Sequence, residues 1–147
     1  MEEDEPLFEI FDNGNFVKVF HIKYKYPDAS LDWDRKWLDV EINVKAGAFS
    51  AKYNADLMIV DFESFKKGLQ YLYSHLSGVA EFHCLESYLN INLKGDGIGH
   101  FEVDCKACDN PGYMARTLEF SMSIDQTQLM PLVRQLDDIL LKFPFKK

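Results

Sequence analysis

Lys36-Trp37-Leu38-Asp39-Val40-Glu41-Ile42-Asn43-Val44-Lys45-Ala46 is followed by Gly47-Ala48 and then by Phe49-Ser50-Ala51-Lys52-Tyr53-Asn54-Ala55-Asp56-Leu57-Met58-Ile59. In the first run Leu38, Val40, Ile42, Val44 and Ala46 fall on one face. Trp37, Asp39, Glu41, Asn43 and Lys45 fall on the other. Side chains of a strand alternate sides, so strict period two marks a half-buried strand. The second run repeats the pattern, with Phe49, Ala51, Tyr53, Ala55, Leu57 and Ile59 expected inward and Ser50, Lys52, Asn54, Asp56 and Met58 outward. With a Gly-containing turn between them, the two runs predict a long antiparallel hairpin. Upstream, Asn13-Gly14 lies between Leu7–Phe11 and Phe16–Tyr26, a dipeptide that favours the tight primed hairpin turns.

The period changes at Asp61. Phe62, Phe65, Leu69, Leu72, Tyr73 and Leu76 recur at steps of three and four, the apolar stripe of an amphipathic helix. Asp61 is expected to cap it and Gly78 to stop it. Strands resume over Val79–His83, Tyr88–Lys94, His100–Cys108 and Thr117–Ile124, separated by Gly95-Asp96-Gly97 and Asp109-Asn110-Pro111-Gly112. Asp125, with Gln128 three residues on, has the form of a capping box. Leu129, Leu132, Val133, Leu136, Ile139, Leu140 and Phe143 make the stripe of a second helix, which Pro144 should end. The order is ββββαββββα. The expectation is an α+β fold of about eight mainly antiparallel strands, in a bent or two-sheet arrangement with two helices on the apolar face.

The 147 residues suit one domain over 1–147, with an acidic tail at 1–5 expected to be disordered. Twelve Phe, seven Tyr and two Trp supply enough aromatic volume for a core without disulfides or metal. Net charge is −8. Nucleic-acid binders must displace counterions from phosphates and carry a positive footprint, so this sign argues against nucleic acid. It favours encounter with basic proteins. Met1-Glu2-Glu3-Asp4-Glu5 has neither the basic start nor the apolar run of a secretory signal. No stretch approaches 18 apolar residues, so no membrane span is expected. Three cysteines, Cys84, Cys105 and Cys108, suit free thiols in a reducing cytoplasm.

No catalytic motif is completed. Gly95-Asp96-Gly97-Ile98-Gly99-His100 has His where a dinucleotide fingerprint needs its third glycine, and a strand where it needs a helix. Asp96, His100, Glu102 and Asp104 could face a divalent ion, but alternate residues on one strand stand roughly 6.5–7 Å apart, wide for a single ion. Cys105-x-x-Cys108 with His83-Cys84 is a nominal zinc set, yet alternation sends Cys105 inward and Cys108 outward. No cofactor, metal or catalytic residue is therefore expected, and a binding protein is favoured over an enzyme. The outward faces carry acids and amides: Asp39, Glu41, Glu81, Asn90, Asn92, Glu102 and Asp104. These are candidate partner-binding residues, and solvated sheet faces look the same. Trp33 and Trp37, interleaved with Asp32, Asp34, Arg35 and Lys36, are candidate anchors, since Trp and Arg are typical hot-spot residues. Both rings could equally fold over a sheet edge. A metal-dependent hydrolase and a self-associating scaffold domain stay open as alternatives.

An ordered series adds a resemblance. Trp33-Asp34 and Trp37-Leu38 precede Lys45-Ala46-Gly47-Ala48-Phe49-Ser50. Asp61-Phe62, Phe65, Leu69, Leu72-Tyr73 and Leu76-Ser77-Gly78 follow. Glu86, Gly95-Asp96-Gly97, Gly99-His100 and Asp125-Gln126-Thr127 lead to a final helix ending at Phe143-Pro144. In order and spacing this resembles the WapI-like family, immunity proteins encoded beside polymorphic contact-dependent toxins of bacteria. The resemblance covers about Asp32 to Pro144. It implies a cytoplasmic protein that binds a cognate secreted toxin domain and neutralises it stoichiometrically. Such toxins are often nucleases with basic clefts, which an acidic partner would be steered onto. Gly112-Tyr113-Met114-Ala115-Arg116 departs from the short polar loop expected there.

Overall fold

The computed structural model describes residues 5–24 and 37–143. Trp33, the tail at Met1–Asp4 and the helix stop at Pro144 lie outside the described residues. Among the described residues, eight strands and two α-helices run in the order ββββαββββα: β1 (Phe8–Asp12), β2 (Asn15–Tyr24), β3 (Trp37–Ala46), β4 (Phe49–Met58), α1 (Ile59–His75), β5 (Ser77–His83), β6 (Leu89–Asp96), β7 (His100–Cys108), β8 (Thr117–Asp125) and α2 (Leu129–Lys142). They form two four-stranded antiparallel sheets, β1-β2-β3-β4 and β5-β6-β7-β8.

The opening hairpin pairs Trp37 with Met58 through to Ala46 with Phe49 in unbroken register. Leu38, Ile42, Val44 and Leu57 are wholly buried, as the alternation required. Asn13 and Gly14 both take positive φ, 49° and 86°, the primed turn that matches strand twist. Phe49 corrects the expectation: it is 69% exposed, because it stands at the hairpin tip beyond the core it was expected to join.

The inner faces of both sheets and the stripes of both helices share one continuous buried cluster. Its centre is a knot of four phenylalanines. Phe82 of β5 lies 5.3 Å from Phe62 and 5.6 Å from Phe65 of α1, and 6.0 Å from Phe8 of β1. Edge-on and tilted pairs at this spacing add to the burial term, itself about 1.5–3 kcal/mol per fully buried Phe. One ring from each sheet and two from a helix thereby make the sheets mutually dependent. Gly68 of α1 lets the helix approach β5: a Cβ there would lie 2.9 Å from the Ala80 Cβ.

Helix boundaries differ from the sequence expectation in two places. α1 starts at Ile59, not Asp61. Asp61 sits one turn in, and its Oδ2 accepts the Met58 N–H at 3.1 Å. Met58, expected outward, is buried at that junction. The helix is stopped not by Gly78 but by Leu76, which takes the left-handed conformation (φ 63°) and donates its N–H to the Leu72 carbonyl. The Leu76 carbonyl in turn accepts the Gly97 N–H at 2.8 Å. A side chain at Gly95 would put its Cβ 2.3 Å from that carbonyl oxygen. The predicted turn at 95–97 therefore starts later: β6 runs on to Asp96, whose Oδ1 accepts the Ile98 and His100 N–H groups at 2.8 and 3.1 Å. Those bonds, the Ile98 one foremost, hold the Asp96 carboxyl below the usual carboxylate range.

The Asp125–Gln128 box forms as expected but opens a 3-10 turn, Gln126–Gln128, that leads into α2. Asp125 accepts from the Thr127 N–H and Gln128 Oε1 accepts from the Asp125 N–H. Pro131 is tolerated because it lies in the first turn, where its missing N–H costs nothing. Tyr73, assigned to the apolar stripe of α1, is 40% exposed, since it falls a step to the side of Leu69 and Leu72.

Candidate partner-binding face

Because β5–β8 bury one set of alternate residues, the opposite set is displayed together. Register fixes the rows. His83, Asn90, Lys106 and Glu119 form one row across the four strands; Glu81, Asn92, Asp104 and Ser121 form the next; Val79, Lys94, Glu102 and Ser123 the third. The first two rows line an open concavity of about 590 Å³. Five of the sequence-chosen residues, Glu81, Asn90, Asn92, Glu102 and Asp104, thus stand on one surface.

The bonding of this face decides its charge. Asp104 Oδ1 accepts from the Ser121 hydroxyl at 2.6 Å, and Glu81 Oε1 from Asn92 Nδ2 at 3.4 Å. Both donors are neutral, so they steady the carboxylates without cancelling them. His83 Nδ1 pairs with Asn90 Oδ1 at 2.7 Å, and Lys106 Nζ lies 3.8 Å from Glu119 Oε1. Lys106 was not among the sequence candidates. Its signal was present: it is the next outward position after Asp104.

The remaining candidates lie elsewhere. Asp39 and Glu41 project from β3 of the other sheet, where Asp39 faces Lys23 and Asp56 in register and Glu41 lies 3.6 Å from Lys52 Nζ. Trp37 is half-buried opposite Met58 at the start of β3. Among the described residues, these three lie on a strand of one sheet and the rows of β5–β8 on the other.

The cysteines act as core groups. Cys84 donates its thiol to the Leu89 carbonyl at 2.8 Å, and burial raises its pKa. Burial likewise pushes Cys105 up to about 12. Cys108, expected outward, is buried, because the residues ahead of β6 close over that strand end: its N–H donates to the Tyr88 carbonyl at 3.0 Å. The Cys84 and Cys105 thiols, so disfavoured from ionising, are poor metal ligands and nucleophiles. Among the described residues no three His, Cys, Asp or Glu side chains are grouped to hold a metal ion. Asp96 and His100 do meet, Oδ2 to Nδ1 at 3.4 Å, at the end of the sheet. No described helix is long and apolar enough to cross a membrane.

Sequence reasoning also missed the loop after β7. Tyr113 and Met114 stand there 94% and 76% exposed. The departure of Gly112–Arg116 from a short polar loop was the signal that could have found them.

Several solved structures share the fold. The chain is similar to MRP1/MRP2 of Trypanosoma brucei at 15% identity and TM-score 0.53, over 99% of this chain and 90% of that one. It is similar to a guide-RNA-binding protein complex bound to a guide RNA at 16% identity and TM-score 0.51, over 95% and 92%. WHY1 from Arabidopsis thaliana matches at 12% identity and TM-score 0.50, over 99% and 87%. At such identities the likeness concerns the arrangement of strands and helices alone. No curated protein matches the chain in sequence. The family model of the immunity protein WapI-like family matches residues 8–144, nearly the whole length, and the chain belongs to that family.

Proposed function

We propose that this chain neutralises a cognate secreted toxin domain by binding it one to one, and that the open face of β5–β8 is the surface that meets the toxin. Membership of an immunity family supports a toxin as the partner. The observation that carries the choice of face is the row Glu81–Asn92–Asp104–Ser121, whose carboxylates are held by neutral donors inside a concavity. Such a face attracts a basic surface and speeds its encounter. A toxin with a phosphate-binding cleft, such as a nuclease, offers that surface, and covering the cleft would stop it without chemistry by the immunity protein.

The fold likeness to a guide-RNA-binding complex does not transfer its ligand. A phosphate backbone approaching Glu81 and Asp104 meets like charge, and the chain carries net charge −8.

The test is co-expression. A candidate cognate toxin domain is expressed with and without this chain, and the pair is purified through a tag on one partner. Restored growth together with a one-to-one complex is the expected result. Growth arrest that persists at equal expression, with no complex recovered, would overturn the proposal.

A further inference from the structure

At one end of the β5–β8 sheet two hairpin loops lie side by side: residues 84–88 between β5 and β6, and residues 109–116 between β7 and β8. The row His83–Asn90–Lys106–Glu119 is the edge of the concavity nearest both loops, and the Cys108 N–H to Tyr88 carbonyl bond ties their bases together. Three large apolar side chains stand out from them: Tyr113 at 94%, Met114 at 76% and Leu85 at 63% exposure. Tyr113 is the most exposed large apolar residue among the described ones.

The second loop is held in shape by its own polar groups. Asn110 Oδ1 accepts the Arg116 N–H at 2.8 Å, Asn110 Nδ2 reaches the Met114 carbonyl at 3.4 Å, and Arg116 Nε donates to Asp109 Oδ1 at 3.2 Å. These bonds span the loop while leaving its apolar tip in water. Met114 also takes a left-handed backbone, φ 58°, which is unfavourable for a residue with a side chain. The folded chain thus orders an apolar tip that contributes nothing to its own core. That arrangement lowers the entropy lost when a partner closes over the tip.

We propose that Tyr113 and Met114, flanked by Leu85, form an apolar anchor that enters a hydrophobic pocket beside the basic surface of the toxin, and that this anchor sets which toxin is bound. The inference rests on the β5–β8 face being the toxin-binding surface. Continuity selects the occupant: the loop bases join the edge row of the concavity, so the partner that covers the concavity also meets the anchor, and the acids at that edge, Asp109 and Glu119, are already paired with Arg116 and Lys106 and leave the apolar tip to make the contact. Division of labour follows. The carboxylates speed encounter and carry the salt dependence, whereas the buried aromatic anchor holds the complex and governs its lifetime.

The test measures association and dissociation rates against an inactivated form of a candidate cognate toxin domain. The proteins compared are the wild type, the Tyr113→Ala/Met114→Ala double variant and the Asp104→Asn variant. The double variant should keep its thermal midpoint, because both side chains are solvated. Its affinity should fall about 30-fold or more, through faster dissociation with an unchanged salt slope. Tyr113→Phe should restore most of the loss. Asp104→Asn should slow association and flatten the salt slope instead. Unaltered rates for the double variant, with Asp104→Asn impaired, would overturn the anchor and leave the binding face standing. Absence of binding by the wild type would overturn both. A wild-type dimer in sedimentation that the double variant dissolves, with toxin rates unchanged, would overturn the anchor in favour of self-association.

Discussion

The two sheets share an order, four antiparallel strands with sequential neighbours paired and a helix after them, yet present different outer faces. Among the described residues, the face of β1–β4 carries Glu9, Asp39, Glu41 and Asp56 against Lys18, Lys23, Lys45 and Lys52, so its formal charges cancel. Several are paired across strands: Glu9 with Lys18 at 3.9 Å and Glu41 with Lys52 at 3.6 Å. Aromatic rings stand among them, with Lys18 Nζ 4.3 Å from the Phe16 ring centre. The three rows of β5–β8 carry Glu81, Glu102, Asp104 and Glu119 against Lys94 and Lys106, a formal −2, and no Phe, Tyr or Trp. Two of these acids are bonded to neutral donors. Exposed acids satisfied by amides and hydroxyls keep their field for a partner; acids paired with lysines spend it within the sheet. Counting acids along the sequence does not distinguish the two cases, and cross-strand register does.

The largest expected effect tests whether the sheets can be compared as halves of one folding unit. Phe82→Ala removes the ring that joins β1, α1 and β5 and should cost about 3–5 kcal/mol. Urea unfolding followed by hydrogen exchange should show β3–β4 and β5–β6 losing protection in one transition. Retained protection of β3–β4 alone would mean the sheets fold independently.

Gly95→Ala should cost about 1–3 kcal/mol by forcing β6 away from the Leu76 carbonyl. Its effect on exchange should be concentrated at the α1 C-terminus and β5–β6, sharpening the contrast with the other sheet.

Neutralising Glu81 and Asp104 as Gln and Asn should leave stability within about 0.5 kcal/mol of wild type. It should slow toxin association up to about tenfold at low salt. The same change at Asp39 and Glu41 should leave association unaltered. Stopped-flow mixing at several ionic strengths distinguishes the outcomes.

The smallest effect is on pH. Burial raises the Asp61 carboxyl to about 6, against the Met58 N–H bond and His83, which lower it. Its folded value therefore exceeds its unfolded one. The associated stability is fully present below the unfolded value near 4 and is lost as pH rises through about 6. The side chain is partly exposed, so the loss should be on the order of 1 kcal/mol. Asp61→Asn keeps an acceptor for Met58 and should flatten the stability profile between pH 4 and 7, measured by urea midpoints.

Most of the fold was legible because alternation persists for nine or ten residues in β3, β4 and β7, and because the α2 stripe has no competing pattern. The misplaced boundaries have physical causes. Met58-Ile59-Val60 continues the apolar character of β4, so the period alone could not show that the helix begins at Ile59. Leu76 adopts a conformation usually left to glycine because β6 closes on its carbonyl, a tertiary contact that sequence spacing does not reveal. Phe49 obeys the alternation but has no core opposite it. The candidate site was half legible. Parity on β5–β7 correctly placed Glu81, Asn90, Asn92, Glu102 and Asp104 on one face. Parity cannot assign strands to sheets, so Asp39 and Glu41 were grouped with residues that belong to the other sheet. Lys106 is a base on an outward parity otherwise filled by acids and amides, and Tyr113 lies in the loop between β7 and β8, where alternation carries no information.

The most direct test places the two faces against each other in cells. Growth rescue from a candidate cognate toxin domain is measured for a variant with Glu81→Lys and Asp104→Lys, and for one with Asp39→Lys and Glu41→Lys, at matched soluble levels. Loss of rescue with the first and full rescue with the second is the expected result. Full rescue by the first, or loss confined to the second, would contradict the assignment of the toxin to the β5–β8 face.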